Sequence, residues 1–115
     1  MNGAHGLLLA IFALSPIGAS AATRASTDRC AAQAIAQAKK LLDFHSGNDD
    51  RAEVDNRAEP LASIANPANP KQRFDVLEVW GYIYKGQYRM RFEYFRLNDG
   101  QCVLMGQEIL EHATL

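Results

Sequence analysis

The chain has 115 residues, with 12 basic and 13 acidic side chains, a net charge of −1 and 48% hydrophobic residues. That length fits one domain. Charges of both signs are mixed through both halves, which argues against a general electrostatic grip on nucleic acid.

Residues 1–21 have the pattern of a secretory signal peptide. Leu7 to Leu14 is a short apolar core, Pro16 and Gly18 break it, and Ala19-Ser20-Ala21 matches a small-x-small cleavage site. The segment before the core holds His5 but no Lys or Arg. The apolar run is shorter than the ~20 residues of a transmembrane helix, so no stable membrane insertion is expected after signal removal. No cysteine sits at the cleavage point, so no bacterial lipid anchor is expected. The expected location is outside the cytoplasm, either periplasmic or extracellular.

Residues 22–115 then form a single small domain whose size is marginal for a hydrophobic core alone. Its two cysteines are Cys30 and Cys102. An even count in an exported chain reads as a disulfide. The pair would close a loop of about 70 residues and add roughly 4 kcal/mol on the chain-entropy account.

The first mature element is a helix at about 27–45. Ser26 or Thr27 is placed to cap it, with Asp28 in the first turn. Ala31, Ala34, Ile35, Ala38, Leu41 and Leu42 form an apolar stripe at helical spacing, with Cys30 at one end. The small side chains on that stripe let a helix lie close to a sheet. Ser46-Gly47-Asn48 is the expected stop. Residues 48–73 form an irregular segment of interleaved charges and prolines. A structureless run of that length is unusual in so small a domain. A short strand or helical turn is expected around Leu61 to Ala65, at a sheet edge if it is a strand. Pro67 and Pro70 should end it.

The sheet is expected at 74–109, as three strands joined by two tight turns. Phe74 to Tyr84 is rich in β-branched and aromatic residues. In the next run Tyr88, Met90, Phe92 and Tyr94 alternate with Arg89, Arg91 and Glu93, the period of a strand with one buried face. A two-residue turn at Lys85-Gly86 puts Leu77, Val79 and Ile83 on the face of Tyr88, Phe92 and Tyr94. It sets Trp80 opposite Arg91 and Tyr82 opposite Arg89 on the other face. Asn98-Asp99-Gly100 is expected to be a three-residue loop with Gly100 in the left-handed position. Phe95, Leu97, Val103 and Met105 then join Trp80. That face is too apolar for an exposed sheet, so more of the chain or a partner should cover it.

The chain lacks the common nucleophile, zinc-protease and phosphate-loop motifs. Cys30 and Cys102 are too far apart for a redox pair or a zinc site. His45 near Asp49 and Asp50 suits a helix C-terminus better than a metal or a catalytic base. No cofactor, metal or catalytic set is expected. The most suggestive constellation is Trp80, Tyr82, Tyr84, Arg89 and Arg91, residue types that dominate protein-binding hot spots. Packing under the 48–73 segment or in a homodimer would also account for them.

The expected fold is α+β, one N-terminal helix on an antiparallel meander of three or four strands, stapled by Cys30–Cys102. The helix-then-meander order resembles the layout of cystatin-like and similar small folds, and layout alone assigns no function. The expected function is an exported non-enzymatic binding protein, most concretely a periplasmic inhibitor or immunity-type protein acting through the aromatic–Arg face. The alternatives are an envelope protein that self-associates through that face, and a small-ligand carrier.

Overall fold

Alanine-rich sequence sets the helix. The computed structural model describes residues 18–112, with side chains from Arg29 onward. The expected leader therefore lies outside the described residues as far as residue 17. Helix α1 spans Gly18–Ser46, starting well before the expected residue 27. Ala19, Ala21, Ala22 and Ala25 are strong helix formers and carry the helix through this region. Ser26 and Thr27 thus lie inside α1 rather than capping it. The stop falls where expected. Gly47 and Asn48 take φ of 68° and 63°, and the Asn48 N–H donates to the Asp43 carbonyl at 2.8 Å.

Five strands follow: β1 (Glu53–Val54), β2 (Glu59–Asn66), β3 (Asn69–Ile83), β4 (Gly86–Arg96) and β5 (Cys102–His112). They form one antiparallel sheet in the order β1-β3-β4-β5, with β2 also pairing β3. The fold is α+β as expected, with five strands rather than three or four. The additional strands lie in the 48–73 segment, which is not irregular throughout. Strand β2 covers the expected Leu61–Ala65 element and sits beside β3. Its end at Pro67 also falls where expected. Pro70 instead lies inside β3, where that strand has a neighbour on one side only and a missing N–H is tolerated.

Helix α1 packs against β3, β4, β5 and β1. Cys30, Ala34, Ala38 and Leu42 are fully buried, one helical turn apart. They meet Leu77, Val79, Met90 and Phe92, which are also fully buried. Gly81 leaves room for Leu42 between helix and sheet. A Cβ there would lie 2.8 Å from Leu42 Cδ2, 2.9 Å from Met90 Cε and 3.2 Å from the Glu53 carbonyl oxygen. The disulfide Cys30–Cys102 joins α1 to the start of β5, with a Cα–Cα distance of 5.8 Å. Such a bond is compatible with an exported protein.

The first hairpin turns one residue earlier than expected. Ile83 pairs with Gly86, so Tyr84-Lys85 is the turn. Tyr84 supplies the positive φ, 55°. Gly86 is needed for space instead: a Cβ there would meet the Tyr88 ring and the Ile83 carbonyl at 3.3 Å. Every cross-strand pair therefore moves by two residues. Trp80 faces Arg89 rather than Arg91, and Tyr82 faces Gln87 rather than Arg89. An even shift leaves each side chain on its expected face. The second turn matches expectation. The Leu97 N–H donates to the Gln101 carbonyl, the Gly100 N–H donates to the Leu97 carbonyl, and Gly100 has φ of 87°.

Two outcomes test this packing. Gly81→Val should lower the unfolding free energy by about 1–3 kcal/mol, read from the urea midpoint, because Leu42 and Met90 must move. The double replacement Cys30→Ser with Cys102→Ser should cost about 4 kcal/mol in the same assay, since the bond spans 72 residues of sequence.

Candidate functional site

The helix covers one face of the sheet, and among the described residues no second layer covers the other. The alternation of β3 and β4 places Glu78, Trp80, Tyr82, Arg89, Arg91, Glu93 and Phe95 on that open face. Strand β5 adds Val103, Glu108, Leu110 and His112.

Glu78 is the centre of the face. It is 9% exposed, the single buried charged residue among those described. Its carboxylate accepts from Trp80 Nε1 at 3.0 Å and from Arg91 Nε at 2.8 Å. Arg91 sits directly across from Glu78 on β4, and its Nη1 lies 4.0 Å from Glu108 Oε1 on β5. One chain of charge thus crosses three strands. The Trp80 ring lies 5.1 Å from the His112 ring at a tilt of 51°. Arg89, opposite Trp80, has a buried Nε without a hydrogen-bond partner among the described residues, and so does His112 Nε2. The face is therefore ordered around Trp80, with two buried nitrogens beside it left unpaired among the described residues.

The other expected residues are placed less centrally. The Tyr82 hydroxyl donates to Asp55 Oδ2 at 3.4 Å, and burial together with the Asp55 charge raises its pKa. Tyr84 leaves the face altogether, because it occupies the turn. It is 76% exposed, with Arg51 and Lys85 each within 6 Å of its ring centre. Phe95 packs edge-on against Phe74 at 6.4 Å, so the β2 end of the face is apolar. Met105 is the extra residue of a β-bulge between Leu104 and Gly106.

Sequence reasoning missed Glu78 and His112. The signal for Glu78 was present: it lies two residues from Trp80, so any strand assignment puts both on one face. Nothing local marked His112, which reaches Trp80 only through pairing across β4. The discounted His45–Asp pairing is not formed. His45 packs edge-on against Tyr88 at 5.6 Å, and Asp49 binds Arg51, which holds its carboxyl down at about 2. Among the described residues no cluster of His, Cys, Asp and Glu could hold a metal, and no helix is long and apolar enough to cross a membrane.

A cleft of about 800 Å³ lies at the sheet corner between β2 and the end of β4. Its cations are already engaged. Arg73 donates to the Ser63 hydroxyl and carbonyl, and Arg96 pairs with Asp75. The buried Tyr94 hydroxyl on its wall is pushed up to about 12 by desolvation. The cleft lies beside the helix–sheet interface, not within it.

Comparison with known protein families, with curated proteins and with solved structures finds no match to this chain.

Trp80 is the sole tryptophan, so its fluorescence reports on this face. Glu78→Gln should shift its emission and lower stability by about 2 kcal/mol, because a charged acceptor of two hydrogen bonds is lost. Unchanged emission and an unchanged urea midpoint would show that Glu78 does not organise the face.

Proposed function

We propose that this is an exported, non-enzymatic binding protein, most concretely a periplasmic inhibitor or immunity-type protein that seats a partner enzyme on the open sheet face. One observation carries the reading: an uncovered sheet face presents Trp80, held by Glu78 and stacked near His112, between Arg89 and Arg91. Trp and Arg are the side chains on which protein interfaces most often depend. A rigid anchor loses little conformational entropy on binding, and Trp80 is fixed by two contacts before any partner arrives. The expected leader and the disulfide support export.

A second reading rests on a different observation. Val103 and Leu110 are each more than a third exposed on the β5 part of the face. They favour an envelope protein that associates with itself through the same face.

The test is affinity capture from the envelope fraction of the source cell, using the chain from Ala22 with its disulfide formed. The expected result is one enzyme retained in stoichiometric amount by the parent protein. Trp80→Ala should weaken that complex by about 2 kcal/mol, roughly thirtyfold in affinity, with the circular dichroism spectrum unchanged. Equal retention by parent and variant would remove the open face from the interaction. An empty eluate from a protein that sediments as a dimer, with Trp80→Ala restoring the monomer, would favour the second reading.

A further inference from the structure

We infer that β5 is a dimerisation edge: two copies of the chain pair β5 to β5 in antiparallel register about Ile109, joining two five-stranded sheets into one. This surface is the sheet's edge and the adjoining flank of α1, so it leaves the open face free for whatever that face binds.

The backbone carries the first part of the argument. Strand β5 has β4 on one side and no strand on the other among the described residues. Ile83–Gly86 closes a two-residue turn and is therefore a hydrogen-bonded pair. Bonded and non-bonded pairs alternate from there. Tyr88 and Met90 accordingly turn their N–H and C=O toward β3, and Arg89 and Arg91 turn theirs toward β5. Their partners Glu108 and Leu110 use their backbone groups on β4. Gln107, Ile109 and Glu111 must then point theirs outward. An open edge is ordinarily blunted by Pro, by charged side chains, Lys above all, or by a bulge, and here the charges are Glu108 and Glu111. Strand β5 contains no Pro, Lys or Arg, and its bulge lies upstream at Met105, so 107–112 is regular.

Side chains select a second copy as the occupant. With Ile109 on the two-fold axis, Ile109 meets its own equivalent, Gln107 meets Glu111 of the second copy, and Glu108 meets Leu110 of the second copy. No two carboxylates stand directly opposite each other, and each pair shares a face, as antiparallel pairing requires. Gln107 forms the floor of a depression of about 410 Å³ against α1, lined also by Gln37, Lys40, Leu41 and Phe44. Gln37 Nε2 fixes it by donating to Gln107 Oε1 at 3.0 Å. Lys40 is exposed on the rim and has no ion-pair partner among the described residues, whereas its neighbour Lys39 holds Asp43 at 2.8 Å. The stated register delivers Glu111 of the second copy to Gln107, and so to Lys40, and the two-fold axis makes that ion pair twice. Phe44, at 87% the most exposed of the large hydrophobics, stands on the same flank and is covered by the same approach.

Sedimentation equilibrium of the disulfide-intact protein tests this. A concentration-dependent monomer–dimer equilibrium is expected. Lys40→Glu and Glu111→Lys should each weaken it several-fold, and the two together should restore it. Ile109→Cys should give a covalent dimer on oxidation, because a hydrogen-bonded antiparallel pair sets Cα atoms about 5.5 Å apart, within disulfide reach. A protein that stays monomeric at its highest soluble concentration would overturn the proposal. So would a dimer that Trp80→Ala dissociates and Ile109→Cys fails to cross-link, since that dimer would use the open face instead. Trp80→Ala leaves the edge dimer intact, so failure of this proposal and failure of open-face binding are read separately.

Discussion

The closeness of α1 to the sheet over Gly81 is the constraint on which the rest of the structure depends. A small-residue stripe on the helix and a residue without Cβ on β3 let the Leu42 side chain seat directly against the strand. The gain is a core packed with few large side chains, which suits a chain of this length. One consequence is geometric. A single helix covers a single face, so the chain has nothing further, among its described residues, to place on the other face. Another concerns β5, the strand farthest from Gly81. The Cys30–Cys102 bond secures its start to the helix, and Gln37 meets Gln107 farther along.

The open face solves a problem of its own. A sheet surface holding Trp80, Phe95, Val103 and Leu110 would invite indiscriminate association if it were apolar throughout. Glu78 prevents that by standing in the middle, desolvated yet satisfied by Trp80 and Arg91. A buried carboxylate is tolerated only with such partners. The same contacts remove the freedom of the tryptophan. Polarity and rigidity at this surface therefore have one cause.

The two edges of the sheet differ in the same respect. On the β2 side the ladder is interrupted by bulges and by Pro60, and β1 is only two residues long. On the β5 side the last six residues run straight and carry no positive charge. Bulges and proline are thus concentrated at one edge, while the other carries Glu108 and Glu111. The β5 edge lies beside the exposed Phe44 and Lys40, which has no ion-pair partner among the described residues.

Local sequence by itself determined the helix with its buried stripe, the disulfide, the stop at Gly47-Asn48, the Gly100 loop and the division of β3 and β4 into two faces. Each follows from short-range physics: side-chain periodicity, the conformational freedom of glycine, or the availability of only two thiols. The placement of the candidate residues Trp80, Arg89 and Arg91 on one face was legible for the same reason, since period two assigns a face whatever the exact pairing. Tertiary structure alone decided the pairing. Gly86 carries no mark of whether it serves φ or space, and only the Tyr88 ring beside it resolves the choice, moving the turn to Tyr84-Lys85 and Tyr84 off the face. Strand β2 was faint because most of its residues are exposed, so no hydrophobic period marks it. His112 could not be found from its neighbours in sequence, because its contact with Trp80 exists only once β4 lies between β3 and β5.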